Sequence, residues 1–405
     1  MGCLEGERRL TGIHGAAVVD ELSHRGHLAT RFLRFRSPQC GARPSRALGS
    51  SSQLLEVFVA QVRSYAALSA GAPLVPFTFD RREPGTLDVE IAISHAGICH
   101  SDIHQAREEW GPAIFPMVPG HEIVGRVTRV GSGVSKFKIG DLAGVGVFVD
   151  SCRSCENCEA GLEQYCLGGM TGTYNTYEKD GTTIVQGGYS SGIVLNEHYA
   201  LHIPESLNIE GVAPLLCAGI TLYSPLRHWN AGPGMQVAII GLGGLGHMGV
   251  KFAHAMGAEV TVLSHSAGKE KDALAMGADH FVDTSDTAFK KALSKKFDLI
   301  LNTVSADLNI NIYLGLLKLH ATLVVIGLPG KPYSVEAGSL LNQRRSLAGS
   351  AIGGIAETAE MLAFCAKHGI TSEVEMITAN QINVAYDRAV ASDVRYRFVI
   401  DTTTL

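Results

Sequence analysis

The run Met235-Gln236-Val237-Ala238-Ile239-Ile240 passes directly into Gly241-Leu242-Gly243-Gly244-Leu245-Gly246, and a helical pattern follows from His247 to Met256. An apolar strand, a Gly-x-Gly-x-x-Gly turn and a helix, in that order, leave little choice of local fold. Gly241 makes the tight turn, Gly243 lets the backbone approach a pyrophosphate, and Gly246 lets helix pack on strand. Gly244 and Leu245 complete a turn whose helix N-terminus faces the phosphates. A tight turn with no ligand is the other use of such a pattern; its place between strand and helix favours dinucleotide binding. Further strands are predicted at 260–263, 280–282, 297–301 and 322–326, with helical segments between them. That alternation predicts a parallel, doubly wound sheet.

The residues that end the second of these strands bear on which dinucleotide is bound. A carboxylate there would accept the adenosine ribose hydroxyl and repel a 2′-phosphate. This chain has Ser264-His265-Ser266 and then Lys269, with no acidic residue among them. Hydroxyls, an imidazole and an ammonium favour NADP(H).

Upstream, residues 87–93 and 124–130 alternate apolar with polar, and Gly131, Gly133, Gly140-Asp141 and Gly187-Gly188 supply turns. These are the marks of a β-rich domain of short strands. A helix at 358–368 and a strand at 396–400 are expected to return to it. The predicted division is 59–213 with 357–405 for the β-rich catalytic domain and 214–356 for the Rossmann domain. Residues 1–58 stand apart. Between Leu22 and Leu55 there are six arginines and no acidic residue, which suits an organellar transit peptide. Glu5, Glu7, Asp20 and Glu21 speak against that reading. The preferred expectation is a disordered leader, or upstream sequence read into the chain from a wrong start, in a cytoplasmic protein; organellar targeting is the alternative.

Nine cysteines form no even disulfide framework. Four are bunched as Cys152-x2-Cys155-x2-Cys158-x7-Cys166, a spacing that fits a closed, all-thiolate zinc site. An iron–sulfur cluster or a small nucleic-acid-binding ribbon would use similar spacing. A closed four-thiolate site offers no open position, so its role is structural. Cys99, His121 and Cys217 offer the three N/S ligands of a catalytic zinc. Alone, the Cys99/His121 pair is a weak signal, because an apolar Cys and a buried His are usually core residues. The remaining thiols, Cys3, Cys40 and Cys365, have no evident partners. With 34 basic and 39 acidic residues the net charge is −5, so no global field for nucleic acid or membrane is implied, and apolar runs break before spanning length.

Together, residues 97–104, Gly120-His121-Glu122, the four-cysteine lobe, residues 213–221, the glycine turn and the terminal Val394-Arg395-Tyr396-Arg397-Phe398-Val399-Ile400-Asp401 resemble the zinc-containing medium-chain alcohol dehydrogenases. From about residue 60 onward the chain is most similar to the cinnamyl-alcohol-dehydrogenase-like branch, which includes bacterial aldehyde reductases. The resemblance implies a fold of a GroES-like β-rich catalytic domain plus a Rossmann doubly wound parallel sheet. It implies that Cys99, His121 and Cys217 ligate catalytic zinc, with Glu122 as alternative ligand and Asp102 orienting His121. Ser101 and His104 would relay a proton with the nicotinamide ribose. Thr221 would lie beneath the nicotinamide, and Ser264, Ser266 and Lys269 would contact the 2′-phosphate. Trp110 resembles a substrate-pocket aromatic, with an ordinary core or surface ring as the alternative. His100, His247 and His254 are left as helix or loop residues.

The implied activity is NADP(H)-linked hydride transfer between primary alcohols and aldehydes, aromatic or medium-chain, with two zinc ions per chain, in a homodimer without nucleic-acid or membrane partners. A zinc-free enone or quinone reductase on the same fold, and a zinc- and nucleotide-binding protein without turnover, are the competing readings. The complete set of ligand residues argues against both.

Overall fold

Period-two alternation explains the first sheet. Along the strand Asp88–Gly97, Val89, Ile91 and Ile93 are buried while Ala92 is exposed, and along Ile123–Val130 Val127 is buried between exposed Arg126 and Thr128. The computed structural model describes residues 60–405; the reading of residues 1–58 as a leader falls outside the described residues. Asp88–Gly97 is central to a seven-stranded sheet. One of its edges pairs with Ile123–Val130. Its other edge is shared, with Gly192–Asn196 along the first half and Arg397–Asp401 along the second. The predicted C-terminal strand, found at Arg397–Asp401, therefore returns to this sheet, and Val374–Thr378, which went unread in the sequence, pairs with it. A separate antiparallel pair, Ala60–Ala66 and Val75–Arg81, precedes it.

The second sheet has six strands and every pairing in it is parallel. Gln236–Ile240, Glu259–Ser264 and Phe297–Asn302 are almost wholly buried, as expected of strands covered on both faces. Numbered in chain order, its strands run 3-2-1-4-5-6. The order reverses between Gln236–Ile240 and Phe297–Asn302, and ligands of doubly wound sheets bind at that crevice. The glycine turn opens there. The edge strand Ser346–Gly349 went unread in the sequence, because four residues, Ser-Leu-Ala-Gly, carry no alternation to detect. No single helix among the described residues is long and apolar enough to cross a membrane.

The helix Ile355–His368 begins before the predicted 358, and the reason is not local. Its N-cap, Gly354, has no side chain to cap with. The cap comes from the four-cysteine segment instead. Glu163 accepts the Ile355 N–H at 3.2 Å and faces His198 at 3.3 Å, and the Tyr165 hydroxyl accepts the Ala351 N–H at 3.1 Å. A carboxylate at a helix N-terminus satisfies an orphan donor and opposes the helix dipole favourably. Glu163→Ala is therefore expected to lower stability by about 1–2 kcal/mol, read as a lower urea midpoint.

Candidate active site

Three separated stretches bring one donor set together. Cys99 is the N-cap of the helix His100–Ala106, at the exit of Asp88–Gly97. His121 and Glu122 stand at the entry of Ile123–Val130, and the Gly97 N–H bonds the Glu122 carbonyl at 2.9 Å. Cys217 breaks the chain between the turn Ala213–Leu216 and the helix Ala218–His228, which it caps. One donor atom from each of Cys99, His121, Glu122 and Cys217 lies within 4.8 Å of the others. His121 Nε2 is 3.2 Å from Cys217 Sγ, and the two sulfurs are 4.0 Å apart. Both thiols sit at helix N-termini, but a hydrogen bond to Cys99 and burial hold the Cys217 thiol well above its usual range. A hydrogen bond from Cys217, together with the His121 charge, holds the Cys99 thiol well below its usual range. The donor set suits zinc: two thiols, an imidazole and the carboxylate of Glu122.

Buried charge surrounds these donors. Asp102 has no solvent exposure. Its Oδ1 receives His121 Nδ1 at 3.0 Å and the Gly120 N–H at 3.2 Å, and its Oδ2 receives the Cys99 N–H at 3.0 Å and the Tyr189 hydroxyl at 2.9 Å. Burial opposes a charge on His121, but Asp102 outweighs it and raises the imidazole's proton affinity well above the ordinary value. With Nδ1 committed to Asp102, Nε2 is directed at the sulfurs, as a metal-ligating histidine requires.

Glu122 is likewise buried, and burial pushes its carboxyl up to about 7 against the pull of Arg397. Arg397 Nη2 donates to Glu122 Oε1 at 2.5 Å and to the Ile98 carbonyl at 2.8 Å. The other carboxylate oxygen, Oε2, has no hydrogen-bond partner among the described residues. An orphaned acceptor beside two thiols and an imidazole fits a nearby cation.

The glycine turn has the geometry its sequence predicts. Gly241 adopts φ +88°, and a Cβ at Gly246 would fall on the Gly241 carbonyl oxygen. A Cβ at Gly243 would meet nothing within 4 Å, so this stretch of backbone is open to a ligand. Gly244 packs on Arg397, whose Cδ would lie 2.7 Å from a Cβ there. Leu245 caps the helix Gly246–Ala255. Thr303, which follows Phe297–Asn302, bonds the Ile240 carbonyl at 2.8 Å and closes the crevice floor. Ser264 is buried and accepts the Ser266 N–H at 3.2 Å, while Ser266 and Lys269 are half-buried beside the turn. Lys269 Nζ donates to the Leu242 carbonyl at 2.8 Å. Thr221 is buried one helical turn from Cys217, whose carbonyl accepts its N–H at 3.0 Å.

Ser101 Oγ lies 3.5 Å from Cys99 Sγ. His104 makes no hydrogen bond to it; its Nδ1 is 2.5 Å from Glu109 Oε2, and its ring stacks on the half-exposed Trp110 at 4.8 Å. Trp110 thus packs on the histidine rather than in a core. His100 and His254 are exposed, while His247 is fully buried between Gly243 and Ser372, neutral because burial pushes its pKa down to about 3.

The sequence reading did not single out Glu109, Tyr174, Tyr189 or Arg397. A charged residue inside Tyr396-Arg397-Phe398-Val399-Ile400 was the available signal for the last of these. Tyr174 stacks on His121 at 5.8 Å, with a buried hydroxyl that finds no partner among the described residues.

The four lobe cysteines also converge, with donor atoms within 4.8 Å. The Cys152 N–H points at Cys166 Sγ at 3.3 Å and the Leu167 N–H at Cys155 Sγ at 3.4 Å. Backbone donors aimed at sulfur stabilise thiolates, as a closed zinc site needs.

Residues 85–205 match the alcohol dehydrogenase GroES-like domain family and residues 244–367 the zinc-binding dehydrogenase family. The chain is 61% identical over 345 residues to NADP-dependent alcohol dehydrogenase C 1 of Mycolicibacterium smegmatis, covering 85% of this chain and 99% of that protein. It is 53% identical over 348 residues to aldehyde reductase YahK of Escherichia coli, again covering 85% and 99%. Its structure resembles a cinnamyl alcohol dehydrogenase of Sorghum bicolor with a TM-score of 0.83 at 43% identity, covering 85% of this chain and 98% of that one.

Removing one partner of a buried ion pair costs about 3–5 kcal/mol. Arg397→Met is expected to lose that much at pH 8 in urea denaturation of metal-free protein, and adding Glu122→Gln should recover most of it. The loss should shrink at pH 5. A buried Glu122 without its guanidinium binds a proton more tightly than the unfolded chain does, so stability falls as pH rises.

Proposed function

The chain belongs to the zinc-type medium-chain alcohol dehydrogenases, and on that premise we propose how its residues carry the NADP(H)-linked interconversion of primary alcohols and aldehydes. The convergence of Cys99, His121, Glu122 and Cys217 within 4.8 Å carries the proposal. Cys99, His121 and Cys217 hold the catalytic zinc, with Glu122 as alternative ligand, and Cys152, Cys155, Cys158 and Cys166 hold a second, structural zinc. The substrates we favour are aromatic or medium-chain aldehydes. When bound, zinc supplies a Lewis acid for the carbonyl and NADP(H) supplies or takes the hydride.

The remaining work falls to side chains. Asp102 holds His121 in the tautomer that leaves Nε2 for the metal. Ser101, beside Cys99, exchanges a proton with the substrate oxygen. His104, linked to Ser101 through the nicotinamide ribose, would pass that proton toward solvent, and Glu109 on its Nδ1 keeps the ring turned for the transfer. The turn Gly241–Gly246 receives the pyrophosphate, with Gly243 as the open point of approach and Gly244 and Leu245 offering backbone at the helix start. Thr221 supports the nicotinamide. Ser264, Ser266 and Lys269 form the 2′-phosphate pocket, in which Lys269 leaves the Leu242 carbonyl for the phosphate.

We assign residues 59–213 and 357–405 to the catalytic domain and 214–356 to the nucleotide domain, in a cytoplasmic protein. A homodimer formed along the edge strand Ser346–Gly349 is part of the reading. That strand ends the six-stranded sheet, and Leu341, just before it, is 78% exposed.

Cys99→Ala is expected to abolish cinnamaldehyde reduction and to lower bound zinc from two per chain to one, as counted by atomic absorption. Normal turnover in that variant would sink the ligand assignment. Lys269→Ala should raise KM for NADPH about 10-fold or more while leaving KM for NADH unchanged. Equal effects on both cofactors would remove Lys269 from the 2′-phosphate pocket.

A further inference from the structure

Behind the ligand set lies a cluster of phenols that the reaction does not use directly, and one of them is bonded into the metal-ligand framework. We propose that Tyr189 is a positioning residue for the catalytic metal, holding the His121 ring through Asp102. The inference rests on the assignment of Cys99, His121 and Cys217 as ligands.

The Tyr189 hydroxyl donates to Asp102 Oδ2 at 2.9 Å, next to the Cys99 N–H at 3.0 Å, while Oδ1 takes Gly120 and His121. A carboxylate offers about four lone-pair sites, and these donors fill them. One oxygen therefore faces the histidine side of the site, and the other the cysteine side together with Tyr189. Without the phenol, Oδ2 keeps only the Cys99 N–H, and the carboxylate is held less firmly against rotation away from Nδ1.

The backbone of Tyr189 is tied to the same loop. Gly187, Gly188 and Tyr189 donate to the carbonyls of Val118, Gly120 and Pro119 at 2.7, 2.8 and 2.9 Å. Gly120 has φ +104°, and a Cβ there would lie 2.6 Å from Tyr189 Cδ1. The ring is thus seated on the residue immediately before His121.

Packing alone does not account for the hydroxyl. Tyr189 is fully buried in a cluster that includes Ala66, Val118, Ile382 and Ala385, where phenylalanine would fit equally well. A buried hydroxyl is unfavourable unless it is bonded. Tyr386, edge-on to Tyr189 at 6.4 Å, makes the contrast: its hydroxyl is buried with no hydrogen-bond partner among the described residues. Two phenols share one apolar cluster, and only Tyr189 has its hydroxyl bonded to Asp102.

The test compares wild type, Tyr189→Phe and Tyr386→Phe as full chains. Release of each zinc to a chromogenic chelator is followed, along with the visible bands of enzyme whose catalytic zinc is replaced by cobalt. Tyr189→Phe should release catalytic-site zinc about 10–100-fold more readily and shift the cobalt bands. It should retain the four-cysteine zinc at the wild-type rate, and Tyr386→Phe should match wild type in every readout. Wild-type release and bands in Tyr189→Phe overturn the proposal. So does an equal change in Tyr386→Phe, or joint loss of both zincs, because either would mean general loosening of the cluster. Failure of the ligand assignment itself is seen separately, as a wild-type protein that binds a single zinc.

Discussion

Several ionisable groups lie where water does not reach them, and each has to be matched within the protein. Asp102 is matched by four donors, and Glu122 and Arg397 are matched by each other and by the Ile98 carbonyl. These pairings explain details that look arbitrary in the sequence. A side chain at Gly97 would strike Glu122, and one at Gly120 would strike Tyr189. The site is therefore assembled by satisfying buried charge, and a set of donors with an unfilled carboxylate oxygen is what remains at its centre.

Sheet topology brings the pieces to one place. Asp88–Gly97 shares an edge with Arg397–Asp401 on one side and pairs with Ile123–Val130 on the other. Cys99, His121 and Arg397 thus meet at the ends of three adjacent strands. Arg397 also packs on Gly244, so the residue that balances Glu122 lies against the glycine turn. One guanidinium side chain joins Glu122 to the turn where the parallel sheet reverses its order. The converged donor set and the glycine turn are held in register by the strand Arg397–Asp401.

The four-cysteine lobe has a mechanical place in this plan. Through Glu163 and Tyr165 it holds the segment that leaves the parallel sheet and starts the helix Ile355–His368. A loop this short in regular structure, from Cys152 to Cys166, has little core of its own. A metal held by the four converged thiols would keep it rigid enough to cap another element.

Much of the architecture was legible because its signals are periodic or chemically specialised. Alternation in 87–93, apolar runs before Gly241, and four closely spaced cysteines each specify local structure within a few residues of chain. The conformation of the glycine turn was readable at Gly241 and Gly246, since backbone conformation and close approach act at the residue itself. The convergence of Cys99, His121 and Cys217 was readable only in company, because isolated thiols and imidazoles have no distinguishing local pattern. What no window of sequence contained was pairing at long range. The cap that Glu163 provides, the bond from Tyr189 to Asp102 and the balance of Glu122 by Arg397 join residues that lie far apart along the chain. Local sequence determined strands, turns and ligand types, because those depend on neighbours in the chain. Tertiary structure alone decided which buried charge met which donor, because that depends on neighbours in space.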